Sequence, residues 1–196
     1  MHPRPYLSYS QMILWEKSPK AYREQYLEGK QMPISRAIAL GKEIADALEN
    51  DEDTGDIEKD IIMGMYPNYE IRDQKIEAKL IVGKEVVPIL IKPDTIKLDY
   101  SAIREYKTGR EPWTQVKVDK CDQLTFYATG AYILTKQIPE LHLDWAETEF
   151  DEAGRPTFTG KFQSFKTVRR MSHILSMMVR MRKAWKEIGE MCENEL

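Results

Sequence analysis

Between residues 76 and 107 apolar residues recur in strand-like runs, and this block constrains the fold more than any other part of the chain. Ile76, Ala78, Leu80 and Val82 alternate with Glu77, Lys79 and Ile81, as in a strand buried on one face. Gly83-Lys84 offers a turn. Residues 86–91 follow as a β-rich run in which Pro88, having no N–H, predicts an edge position or a bulge. Two short strands are expected at 94–98 and 103–106, closing a tight hairpin through Asp99-Tyr100-Ser101-Ala102. Strands patterned in this way present an apolar face that helices or a second sheet must cover.

Helical signals lie on both sides. Ser8 and Gln11 have capping-box spacing, and Tyr9, Met12, Ile13 and Trp15 supply one apolar face. Ser18-Pro19 reads as the cap and first residue of a second helix that stops at Gly29. A third helix over 35–49 follows from Ala37, Leu40, Ile44 and Leu48, and ends in a solvated loop, Asp51-Glu52-Asp53. Residues 122–134 read as a helix, 141–150 as a returning strand and Gly154-Arg155-Pro156 as a break. The last helix, over 166–190, packs through Val168, Met171, Leu175, Met178, Met181, Trp185 and Ile188. The order predicts one mixed α/β domain over 1–196: a helical pair in 1–30, a core in 31–165 and a C-terminal basic amphipathic helix in 166–190.

With 42% hydrophobic residues in 196, the chain can bury a real core. A net charge of -3 gives no global attraction to a polyanion, so any such site must be local. Cys121 and Cys192 are too few for a disulfide framework, a four-cysteine zinc site or an iron-sulfur cluster. No signal-like or membrane-spanning apolar run is present, and a cytoplasmic location is expected.

The chemistry concentrates in the predicted hairpin. If it turns between Tyr100 and Ser101, Asp94 lies opposite Lys107 and diagonal to Glu105, while Glu105 and Lys107 share a strand face. Two carboxylates are hard ligands suited to Mg²⁺ or Mn²⁺, and an adjacent ammonium can orient water or stabilise charge on a phosphate. The same spacing also describes a surface ion pair on a solvent-facing hairpin.

Pro93-Asp94 followed by Glu105-Tyr106-Lys107-Thr108-Gly109 resembles the motif of the PD-(D/E)xK nuclease superfamily, in its RecB-like exonuclease branch. Gln123-Leu124-Thr125-Phe126-Tyr127 is similar to that branch's Gln-xxx-Tyr signature, and Leu7-Ser8-Tyr9-Ser10 and Ser18-Pro19-x-x-Tyr22 to its opening helices. The resemblance implies a restriction-endonuclease-like core, a central mixed β-sheet flanked by helices. It implies a metal-dependent DNA nuclease, an exonuclease or end-processing enzyme of recombination, repair or a mobile element. Asp94, Glu105 and the Tyr106 carbonyl would hold Mg²⁺ or Mn²⁺, Lys107 would be the catalytic lysine, and Gln123 and Tyr127 would contact substrate. No helicase motif is present, so unwinding would fall to a helicase or recombination protein as partner.

One departure is specific. The branch places a metal-binding histidine four residues after a glycine in the early helix, and the position after Gly41 is Ala45. Glu49 lies one turn beyond Ala45 on the same face, while Glu43 or Asp46 would need a different helix orientation. The iron-sulfur version of the branch is not expected, since Ser18 replaces its cysteine. The alternative reading is a catalytically impaired DNA-binding or complex-forming member of the same fold; a small-molecule or RNA-processing enzyme is a third. For the polyanion, residues 153–186 carry no acid, and Lys166, Arg169, Arg180 and Lys183 would form one basic stripe on the last helix. A solvated face offset by Glu187 and Glu190 fits that pattern as well. His142 and His173 have no ligand spacing and read as structural.

Overall fold

The computed structural model describes residues 2–31, 33–50, 52–72 and 74–193. A two-residue strand, β1 (Leu7–Ser8), leads into α1 (Tyr9–Lys17) and α2 (Pro19–Tyr26). The caps are those the sequence offers: Ser8 Oγ accepts the Gln11 N–H and Ser18 Oγ the Ala21 N–H. α3 (Arg36–Asn50) buries Leu40, Ile44 and Leu48 but leaves Ala37 exposed. Of the acidic run after it, Asp51 lies outside the described residues. α4 (Ile57–Met65) has no counterpart in the sequence reading, although Asp56 caps it and Glu58 and Asp60 occupy its first turn.

β3 (Ile76–Val82) and β4 (Glu85–Ile91) form the expected hairpin around Gly83, whose φ of 63° suits glycine. β1 runs parallel to the other edge of β4, at Ile89 and Leu90 only, giving the order β1-β4-β3. β4 is therefore the middle strand and not an edge. Pro88 is tolerated there because β1 stops short of it.

The second sheet has the order β2-β5-β6-β7-β8, from β2 (Ile71–Arg72), β5 (Thr95–Ile96), β6 (Ala102–Gly109), β7 (Glu140–Phe150) and β8 (Pro156–Thr167). β6 and β7 are parallel, joined by a crossover that contains α5 (Gln115–Asp119) and α6 (Asp122–Thr135). β8 is unforeseen. Its Phe158, Phe162 and Phe165 recur at helical spacing because a bulge intervenes: Phe162 pairs with Ala146 and Phe158 with Thr148, so β8 carries extra residues there.

The β5–β6 register corrects the expected one. Thr95 pairs with Arg104 and Ile96 with Ile103, so Asp94 comes level with Glu105 instead of Lys107. The cause lies in the turn: Lys97 N–H donates to Ala102 O, Asp99 Oδ1 accepts the Ser101 N–H, and Tyr100 adopts a φ of 61°. A slip of two residues keeps every side chain on its expected face.

α6 is buried continuously from Leu124 to Ala131 and packs against β3, β4, β6 and α7. It approaches β4 so closely that a Cβ at Gly130 would lie 2.5 Å from Ile91 Cγ2. α7 spans Met171–Glu193, so Lys166, Val168 and Arg169 precede it. Its buried face is Ile174, Met177, Met181, Ala184, Ile188 and Cys192, while Val168, Met171 and Leu175 are exposed. The expected packing face is thus rotated, because it was phased from residues outside the helix. A main core joins both sheets with α1, α2, α6 and α7; a smaller one joins α3 and α4 to Ala146. Among the described residues no helix is long and apolar enough to cross a membrane.

Candidate active site

β6 carries the site where it leaves the core. Ala102 to Glu105 are buried, whereas Tyr106 to Gly109 are half-buried. Glu105 is 4% exposed. Its Oε1 accepts from Lys107 Nζ at 2.5 Å and from Gln123 Nε2 at 2.6 Å, while its Oε2 is buried with no hydrogen-bond partner. A buried acceptor left without a donor costs about 1–3 kcal/mol, and more when charged. Arg104 Nε and Asp144 Oδ1, in the neighbouring buried ion pair, also lack a partner, so what sets Glu105 apart is its place beside Lys107 and Gln123.

Burial pulls the Lys107 ammonium towards the neutral form, but the charge and hydrogen bond of Glu105, aided by the charge of Asp94, outweigh it. Its pKa is held above the ordinary lysine value. Lys107 is therefore a cation near neutral pH and cannot serve as a base. Gln123 Oε1 accepts a second Lys107 hydrogen bond at 3.0 Å, and Gln123 Nε2 also donates to Tyr127 Oη. The Tyr127 hydroxyl in turn donates to the Lys92 carbonyl at 2.9 Å. Tyr127 is 6% exposed, and burial raises its pKa well above the ordinary tyrosine value. Gln123 and Tyr127 thus border the site, hold Glu105 and Lys107, and tie them to the segment that carries Asp94.

Asp94 sits where β5 ends. Beyond Thr95 the strands diverge, and Asp94 Oδ2 accepts the Tyr106 N–H at 2.5 Å. In an extended strand the N–H and C=O of one residue point the same way, so the Tyr106 carbonyl is directed to the Asp94 edge. The Tyr106 ring stacks on Tyr66 with centroids 4.3 Å apart, and the Tyr66 hydroxyl donates to the Lys107 carbonyl. Tyr66, next to α4, is a site residue that the sequence reading missed; no motif marks it.

α3 closes the other side. Gly41, Ile44, Ala45 and Leu48 line a cavity of about 40 Å³ with Tyr66, Asp94, Tyr106 and Thr108. A second small cleft adjoins it, lined by Ala45, Leu48, Glu49, Asn68, Arg72 and Asp94 with Tyr106. Ala45 therefore does face Asp94. Glu49 borders the same cleft and pairs with Lys92 at 3.8 Å, whereas Glu43 turns away to Lys59 at 2.7 Å.

The Asp94 carboxylate, the Glu105 carboxylate with its unpartnered Oε2 and the Tyr106 carbonyl are oxygen donors of the kind a hard divalent cation takes. Among the described residues no group of three or more His, Cys, Asp or Glu could hold a metal. That donor set suits Mg²⁺, which keeps several waters and needs only one or two carboxylates.

The basic stripe does not form. Lys166 lies in β8 and pairs with Glu140, and Arg180 pairs with Glu16 and Asp122. Arg169 is buried before α7, donating to Thr125 Oγ1, Thr167 Oγ1 and the carbonyls of Val118, Cys121 and Val168. Of the four, Lys166 and Lys183 have exposed side chains, but they lie on different elements, β8 and α7, and Lys183 has a 3.8 Å contact to Glu187. His142 pairs with Glu140, and His173 Nδ1 accepts the Arg170 N–H, both away from Asp94 and Glu105.

No family model and no curated protein sequence matches the chain. Among solved structures, a candidate exonuclease from Eubacterium rectale superposes over 97% of this chain and 82% of its own, with a TM-score of 0.60 and 12% identity. An alkaline exonuclease from Laribacter hongkongensis aligns over 96% of this chain and 90% of its own, with a TM-score of 0.49 and 13% identity. With its mixed sheet and flanking helices, the chain has a restriction-endonuclease-like fold, shared with that candidate exonuclease.

Proposed function

We propose that this chain is a metal-dependent DNA nuclease that hydrolyses phosphodiester bonds, acting as an exonuclease or end-processing enzyme in recombination, repair or a mobile element. The observation that carries the reading is the buried Glu105 carboxylate, with one oxygen held by Lys107 and Gln123 and the other without a protein partner. The shared fold of a candidate exonuclease supports it. Asp94, Glu105 and the Tyr106 carbonyl would hold Mg²⁺ or Mn²⁺, which when bound supplies an activated water and a clamp for phosphoryl charge.

The remaining work falls to the chain's own groups. Lys107, kept protonated by Glu105, neutralises charge that builds on the phosphate as the in-line attack proceeds. Gln123 fixes the Lys107 ammonium by accepting from it, so the cation does not swing into solvent. Tyr127, through the Lys92 carbonyl, keeps the Asp94 segment at a constant distance from that cation.

The test is degradation of end-labelled single-stranded, duplex and circular DNA with Mg²⁺, Mn²⁺ or EDTA. Loss of label from linear DNA, dependent on metal and spared on circles, is the expected result. Absence of cleavage with either metal overturns it. Retained DNA binding in that case would select the impaired DNA-binding member, a reading favoured by Ala45 facing Asp94.

A further inference from the structure

We infer that the solvent-facing side of the first turns of α7 is a docking surface for another protein, which presents there an apolar segment with acidic residues at both ends. None of the residues involved belongs to the Asp94 and Glu105 site, so the surface can be tested without cleavage.

From Met171 to Val179 the helix reads Met-Ser-His-Ile-Leu-Ser-Met-Met-Val, without one Asp, Glu, Lys or Arg. Ile174 and Met177 are buried in the main core, and Met178 packs at its margin. Met171, Leu175 and Val179 lie on the opposite side, 40%, 54% and 67% exposed. At 3.6 residues per turn these three fall within an arc of about 80° and a length of about 12 Å. Exposed aliphatic residues scattered singly are ordinary, whereas three in one row make a contiguous patch. A helix that is apolar all round is one that is covered all round.

Charge selects the occupant. Arg170 is exposed just before the row, and Arg182, Lys183 and Lys186 are exposed after it. Arg182 pairs with Glu85, Lys183 with Glu187 at 3.8 Å and Lys186 with Glu190 at 3.6 Å, surface contacts of little energetic value. Cations at both ends disfavour a second copy of this chain. Packed antiparallel, the rows would bring Arg170 of one copy to the Arg182 end of the other; packed parallel, they would set like cations side by side. An anionic lipid surface needs the apolar row to continue, but Arg182 and Lys186 occupy the same arc. DNA phosphates gain nothing from the apolar centre. The complementary surface is a protein segment whose apolar residues cover Met171, Leu175 and Val179 while its acids reach the cations beyond them, and the methionines let the patch adapt to its shape.

The probe is a synthetic helical peptide with leucines at i, i+4 and i+8 and glutamates at both ends, beside the same peptide with lysines for glutamates. Each is titrated against the whole chain by fluorescence anisotropy. The acidic peptide should bind, more weakly as salt rises, and at least ~10-fold more tightly than the basic one. The double variant Leu175→Ala, Val179→Ala should weaken that binding by at least ~10-fold, the factor that corresponds to about 1.4 kcal/mol. Alanine suits an exposed helix position, so its melting temperature should hold. Lys183→Glu with Lys186→Glu should reverse the preference between the two peptides. No binding of the acidic peptide, equal binding of both, or unchanged affinity in the alanine variant would overturn the inference. So would a wild-type dimer in sedimentation that the alanine variant loses, which assigns the patch to a second copy. Binding to phosphatidylserine vesicles or to oligonucleotide that the alanine variant loses would likewise overturn it, assigning the patch to lipid or DNA.

Discussion

The two sides of the site are built to different standards. On the α6 side, Glu105, Lys107, Gln123 and Tyr127 form a closed hydrogen-bonded set resting on the main core. On the α3 side, Asp94 meets a small cavity, an alanine and a second small cleft, backed by the smaller core of α3 and α4. The difference separates tasks. On the proposed reading the Lys107 cation is held on the rigid side, and metal and phosphate would enter and leave through the loose one.

Removing a charged group from either side should have the largest effect. Asp94→Ala and Lys107→Ala should each lower cleavage by at least ~10²-fold, the scale of losing one positioned catalytic group, with thermal melts showing folded protein. Equal rates for wild type and both variants in the end-labelled assay would assign the cleavage to a contaminant.

Next is the brace beneath α6. Arg169→Ala leaves the carbonyls of Val118 and Cys121 and the hydroxyl of Thr125 without their donor. Hydrogen bonds to a charged group contribute about 1.5–3 kcal/mol each, so a loss of about 3 kcal/mol or more is expected in urea unfolding. A loss below about 0.5 kcal/mol would show that the rigid side does not depend on this clamp.

Tyr127→Phe is a milder probe, since it removes the hydroxyl that donates to the Lys92 carbonyl and accepts from Gln123 Nε2. A cost of about 1–2 kcal/mol is expected from an unsatisfied buried carbonyl. Cleavage should fall with it while oligonucleotide affinity holds. Lost affinity with an unchanged rate would return Tyr127 to the substrate.

The smallest effect is in pH. Lys107 has a folded pKa above its unfolded value, so its contribution to stability is complete below the unfolded value and is lost as pH rises through the folded one. Lys107→Met should therefore flatten part of the alkaline fall in melting temperature. Parallel wild-type and variant curves above pH ~10 would show that Glu105 does not hold the charge.

The sequence made the rigid side legible for physical reasons. Ser8, Ser18 and Pro19 act locally, so their caps appear where the residues are. Glu105 and Lys107 share a face by the two-residue period alone, and the error in turn length left that parity intact. The loose side depends on long-range packing. Nothing local marks Tyr66 as reaching the Lys107 carbonyl, and the bulge in β8 hides its period. The basic stripe failed for a related reason: a helical phase was carried back across Thr167, where the backbone is already strand.

Gly130 has a further consequence. It permits α6 to touch Ile91, the last residue of β4 and the third before Asp94. On the same helix, Tyr127 and Gln123 lie about one and two turns nearer the N-terminus. The helix thus acts as a lever whose pivot is a hydrogen atom in place of a side chain. A methyl group at position 130 would collide with the Ile91 side chain, so Ile91 or the helix would have to give way beside the strand that leads to Asp94.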